Sequence, residues 1–103
     1  MRYEIILSPE AVDDLHDLKA NIRTAVRDTI EEHLRHDPTK TSKSRIKRLR
    51  GLSRPQYRLR VENLRVFYDV SPKTVEILAI VPKEEAKEWL EKAGESNEDN
   101  SAE

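Results

Sequence analysis

The apolar positions of this chain change period several times, and each change marks an element. Residues 2–7 alternate, with Tyr3, Ile5 and Leu7 on one side and Arg2, Glu4 and Ile6 on the other, which predicts a short strand. Ser8-Pro9-Glu10 reads as a helix start, with Ser8 as N-cap and Pro9 at the first helical position. Val12, Leu15 and Leu18, with Ala11 beside them, make an apolar stripe at helical spacing. Ile22, Val26, Ile30 and Leu34 make a second one, ending at His36-Asp37-Pro38 because a residue before proline avoids the helical region. Little more than Lys19-Ala20-Asn21 separates the two, so they form a helical hairpin.

Residues 37–56 show neither period, although Arg48-Leu49-Arg50-Gly51 reads as a strand start or a short helical turn. A structureless connection of that length in a small domain is usually functional. Beyond Pro55 alternation returns: Tyr57, Leu59 and Val61 against Arg58, Arg60 and Glu62, then Leu64, Val66, Tyr68 and Val70 against Arg65, Phe67 and Asp69. A third run, 75–81, follows Ser71-Pro72-Lys73. Connections this short predict an antiparallel meander of three strands. Residues 84–92 have helical composition with Ala86, Trp89 and Leu90 apolar, and Gly94 ends them. The expected fold class is α+β: N-terminal strand, helical hairpin, three-stranded meander, short C-terminal helix. Residues 1–94 form one domain in this reading and 95–103 a disordered acidic tail.

Composition narrows the chemistry. The 103 residues suit one domain, and charged residues (38%) outnumber apolar ones (36%), so the core is thin. The chain has no cysteine, which excludes disulfides, thiol catalysis and thiolate metal sites. His16, His33 and His36 are too scattered for a metal site, and no cofactor is implied. Asp13, Asp14 and Asp17 crowd one helix and suggest paired carboxylates, yet charge compensation at the helix start is the simpler account. The N-terminus lacks a signal peptide and no apolar run spans a bilayer, so a cytoplasmic protein without membrane contact is expected.

The formal net charge of −1 conceals a division. From Lys40 to Arg65 there are ten basic residues and one acid, Glu62, a net +9. Such a block calls for an anionic partner. With Glu62-Asn63 as the hairpin turn, Arg60 pairs with Arg65 and Arg58 with Phe67. Arg58, Arg60 and Arg65 then share one face, while Tyr57, Leu59, Val61, Leu64, Val66 and Tyr68 share the other. Like charges opposed in a ladder cost energy, and guanidinium groups clustered this way suit phosphate. The neighbouring cations Lys43, Arg45, Lys47, Arg48, Arg50 and Arg54 are candidates for RNA contact.

The runs Leu49-Arg50-Gly51, Gln56-Tyr57-Arg58-Leu59-Arg60-Val61 and Leu64-Arg65-Val66-Phe67-Tyr68-Asp69-Val70, with this element order, resemble the RelE/ParE superfamily of toxin–antitoxin toxins over residues 2–92. The RelE branch of that family implies an endoribonuclease that cuts mRNA in the ribosomal A site without metal, the ribose 2′-hydroxyl attacking the adjacent phosphate. By position, the resemblance assigns catalytic roles to Arg58, Arg60, Arg65 and Lys83. It implies a cognate antitoxin, mRNA and ribosomal RNA as partners, and a toxin–antitoxin hetero-oligomer. Trp89 is either an anchor for the last helix or a base-stacking group. Two positions depart from the family pattern: Glu84 stands where the family has a second arginine, and Leu90 where it has a tyrosine. A ParE-like inhibitor of DNA gyrase, and a relative that binds antitoxin or RNA without cutting, are the alternatives.

Overall fold

The computed structural model describes residues 1–96. Its elements are β1 (Glu4–Leu7), α1 (Pro9–His16), α2 (Ala20–Leu34), β2 (Ile46–Arg48), β3 (Leu52–Arg54), β4 (Tyr57–Val61), β5 (Leu64–Val70), β6 (Thr74–Pro82), a 3₁₀ turn (Lys83–Glu85), α3 (Ala86–Ala93) and β7 (Glu95–Ser96). Five strands form one sheet in the order β1-β6-β5-β4-β2, and β3 and β7 form a separate two-stranded ribbon. The α+β class and the antiparallel β4-β5-β6 meander are as the alternation implies. β1 joins β6 in parallel, which the intervening helical hairpin makes possible.

The hairpin register follows the expected pairing in every particular: Arg58↔Phe67, Arg60↔Arg65 and Val61↔Leu64 across the Glu62-Asn63 turn. Glu62 adopts a left-handed φ of 54°, which a tight turn requires of a residue that is not glycine. On the helix-facing side Leu59, Val61, Val66 and Tyr68 are buried with Val26, Ile30 and Leu34 of α2 and Ala11 and Leu15 of α1. Tyr57 stacks on Tyr68 at 5.5 Å between centroids, and the Tyr68 hydroxyl donates to the Pro38 carbonyl at 2.7 Å. Both tyrosines are thus part of the core, and Tyr68 fixes the start of the long connection.

The first helix sits differently from its sequence stripe. β1 pairs with β6 only as far as Ile77, and α1 runs along the β6 edge beyond that point. Ser8 Oγ accepts from the Ala11 amide and donates to the Leu78 carbonyl, capping the helix and docking it together. Asp14 Oδ2 accepts from the Ile80 amide at 2.9 Å, so one of the three crowded aspartates satisfies a strand edge. Seating at an edge turns Ala11 and Leu15 inward and leaves Val12 exposed, contrary to its place in the stripe.

Burial holds the Asp14 carboxyl above its ordinary value of 3.8. Its folded pKa therefore exceeds its unfolded one, and the native state gains stability as pH falls through that window. Asp14→Asn keeps an oxygen for the Ile80 amide and removes the penalised charge. The variant should melt at or above the parent temperature at pH 7. That advantage should vanish as pH falls through the raised Asp14 pKa, a trend that thermal melts across the acid range would read out.

Two corrections concern the connection and the tail. The span without a period contains β2, with Ile46↔Leu59 and Lys47↔Arg58, which adds a fourth antiparallel strand. Three residues of which two are cationic are too few to show alternation, and only Ile46 is buried. Between β2 and β3 the chain turns at Gly51, whose φ of 76° favours glycine. Glu95 and Ser96, expected in the acidic tail, pair as β7 with Arg54 and Leu52 of β3. The rest of that tail, 97–103, lies outside the described residues.

Candidate functional site

The face of the sheet opposite the helical hairpin carries Arg58, Arg60 and Arg65, as the register demands, but it is not bare. Phe67, Ala79 and Val81 form a second small core there, packed against Leu49, Ala86, Trp89 and Leu90. Trp89 lies nearly parallel to Phe67, 4.9 Å between centroids at an interplanar angle of 4°, and its Nε1 donates to Glu10 Oε2 at 2.7 Å. Of the two roles open to it, Trp89 takes that of anchor. It fastens α3 over the arginine face and ties it round the edge to α1.

Between α3 and the sheet runs a groove of about 630 Å³. Leu49, Leu52, Phe67, Ala86 and Leu90 make its apolar surface, and Arg58, Arg65, Lys83, Lys87 and Glu91 its charged one. Three of the four residues assigned catalytic roles, Arg58, Arg65 and Lys83, are thereby brought into one cleft. Arg60 opens instead onto the adjoining depression with Ser44, Arg45 and Glu62. Lys47 stands opposite Arg58 across β2 and β4 and so shares the arginine face.

These cations are not equivalent. Arg65, expected to project freely, is only 7% exposed. Its Nη1 donates to the Glu62 and Leu64 carbonyls at 3.1 and 2.9 Å, so the side chain folds back over the hairpin turn. The Lys83 amide meets the same turn through the Asn63 carbonyl at 2.7 Å. Both residues are thus rooted by contacts that also hold the hairpin tip. Arg58 is half-buried, and its Nε, shielded from solvent, has no hydrogen-bond partner. A buried donor left unpaired costs about 1–3 kcal/mol, more when charged, unless a ligand supplies the acceptor.

Burial first and the charge of Arg60 second push the Arg58 guanidinium below the usual arginine range. Burial, then Arg58 and Arg60, do the same to Arg65. Both guanidinium groups nevertheless remain charged at neutral pH. Three guanidinium groups thus repel one another where solvent is partly excluded, and an anion in the groove would relieve that repulsion.

The remaining candidates divide. Arg45 donates to the Arg60 carbonyl at 2.9 Å, while Lys43 and Arg50 are exposed on the connection. Arg48 donates to the Gln56 carbonyl and lies over the Tyr57 ring, 5.2 Å from its centroid, toward the helix-facing side. Arg54 is engaged by Asp69 at 3.2 Å and Glu76 at 3.3 Å. Glu84 is exposed on the 3₁₀ turn and does not line the groove, whereas Leu90 does. Lys87 and Glu91 went unremarked in the sequence; their i, i+4 spacing on α3 is the signal that places them on one wall. Among the described residues no cluster of histidine and carboxylate side chains is arranged to hold a metal ion, and no helix is long and apolar enough to cross a membrane.

Comparison with known proteins agrees with this architecture. No match was found among curated proteins. Solved structures with the same fold include the RelB–RelE antitoxin–toxin complex of Methanococcus jannaschii, with a TM-score of 0.63 at 23% identity over 82% of this chain and 96% of that one. The complex RelBE2 of Mycobacterium tuberculosis aligns with a TM-score of 0.62 at 25% identity, covering 80% and 99%. The archaeal RelE–RelB complex of Pyrococcus horikoshii gives 0.61 at 26%, covering 81% and 97%. A family model described as the ParE toxin of the type II toxin–antitoxin system parDE matches residues 5–95, from β1 through the first residue of β7. On that match the chain belongs to the ParE toxin family of type II toxin–antitoxin systems, within the RelE/ParE superfamily that its arginine-bearing strands resemble.

Proposed function

We propose that this toxin acts in the cytoplasm as a ribosome-dependent mRNA endoribonuclease, held inactive by a cognate antitoxin bound over its basic face. The observation that carries the reading is the buried, unpartnered Nε of Arg58 in a cleft shared with Arg65 and Lys83. That arrangement asks for an anionic oxygen, and a phosphodiester provides two that do not bridge. Arg58 and Arg65 hold the scissile phosphate and neutralise the charge that grows on it in the transition state. Arg60 and Arg45 take the adjacent phosphate in the neighbouring depression, and Lys43, Lys47 and Arg50 meet ribosomal RNA. The 2′-hydroxyl attacks in line, leaving a 2′,3′-cyclic phosphate and a 5′-hydroxyl. Positioning and electrostatics supply most of the rate in this chemistry.

A second reading, inhibition of DNA gyrase without catalysis, is what the resemblance to the ParE branch implies, and the family model that matches the chain carries the ParE name. One experiment separates the two. Induction without antitoxin should arrest growth and produce cuts inside translated frames, mapped by primer extension, with plasmid supercoiling unchanged. Intact transcripts together with relaxed plasmid would transfer the assignment to gyrase.

A further inference from the structure

Glu91 is the carboxylate among the side chains lining the groove of Arg58, Arg65 and Lys83. It follows Lys87 by one helical turn, the order in which a Lys–Glu pair is the weaker one. Glu88 and Lys92, in the stronger order, close to 3.1 Å on the same helix. The Glu91 carboxylate has no ion pair or hydrogen bond with any described residue. A carboxylate in a cationic cleft, tied to none of the cations, is free to act on what enters it.

The cleavage reading leaves a proton without a destination. The 2′-hydroxyl must lose it as it attacks, and neither arginine nor a protonated lysine accepts one. An ionised carboxylate does. Glu84 and Glu85 are exposed on the 3₁₀ turn and lie outside the groove lining, so they do not compete for the task.

We infer that Glu91 is the general base of this site, an assignment that rests on the endoribonuclease reading. Its carboxylate takes the proton from the 2′-hydroxyl while O2′ forms its bond to phosphorus. The bond from phosphorus to O5′ breaks, its electron pair stays on O5′, and the Lys83 ammonium protonates that oxygen. Solvent then removes the proton from Glu91 and restores one to Lys83, so the proton count closes and no water is consumed in the cut. Arg58 and Arg65 stay on the nonbridging oxygens throughout.

Single-turnover cleavage on programmed ribosomes, followed across the acid range, tests the assignment. Glu91→Gln should slow cleavage by about 100-fold and abolish the rise in rate with pH that accompanies carboxylate ionisation. Glu91→Asp should recover part of the rate and keep that rise. Ribosome binding and the melting temperature should not change, because Glu91 is exposed and has no structural partner. Glu91→Gln cleaving at the parent rate overturns the assignment and leaves the endoribonuclease reading standing. A slowed variant that keeps the acid limb also overturns it, since Glu91 would then only position other groups. Failure of the parent protein to cleave at all overturns both.

Discussion

Arg58→Ala should lower single-turnover cleavage on programmed ribosomes by about 10²–10³ while leaving the protein as stable as the parent or more stable. The loss is what removing one preorganised donor to a developing oxyanion costs, about 3–4 kcal/mol. The stability effect has the opposite sign because, without substrate, Arg58 is a half-buried cation with an unpaired Nε beside Arg60. Removing it relieves desolvation and like-charge repulsion together. A functional residue that opposes folding is the signature expected of a site built for an absent anion. Cleavage at the parent rate by a folded Arg58→Ala protein would remove the arginine cleft from the mechanism. A sharply lowered melting temperature would show instead that the guanidinium supports the fold. Arg65 is the less informative position: its bonds to the Glu62 and Leu64 carbonyls make Arg65→Ala a change to the hairpin turn as well as to the site.

Trp89→Ala should destabilise the protein by about 3 kcal/mol, the lower end for loss of a packed tryptophan, and should abolish cleavage with it. The side chain joins three parts of the fold, α3 to which it belongs, Phe67 beneath it and Glu10 of α1 beside it. Without it the wall of Lys83, Lys87 and Glu91 loses its fixed distance from the strand arginines. Trp89→Phe keeps a ring for Phe67 and forfeits only the bond to Glu10, a cost of about 1 kcal/mol, so most activity should survive. Thermal melts with cleavage assays on both variants read the two effects separately. Parent-like melting of Trp89→Ala would mean that the C-terminal helix is held by β7 and the aliphatic contacts alone.

The arginine hairpin was legible in the chain because two-residue alternation on both sides of Glu62-Asn63 admits one register. Burial of Leu59 and Val66 against the helices makes a slip of one residue prohibitive, so the positions of Arg58, Arg60 and Arg65 follow from the pattern. The capped start of α1 and the end of α2 before Pro38 were legible for equally local reasons. β2 was not, since its three residues acquire a partner only when β4 is already in place. The strand content of Glu95 and Ser96 was hidden likewise, because pairing with β3 is a long-range event that composition does not encode.

The amino-acid sequence alone therefore determined the order of elements, the apolar and cationic faces of the central hairpin, and the basic stretch that calls for an anion. These depend on periodicity and local backbone preference. Tertiary structure decided how those cations differ. It folded Arg65 back onto the turn, bound Arg54 to Asp69 and Glu76, left the Arg58 Nε buried without an acceptor, and placed Glu91 of α3 in the lining of the groove that holds Arg58 and Arg65. Burial and pairing are properties of neighbours distant in the chain, and a side chain's chemistry becomes specific only when those neighbours have been brought to it.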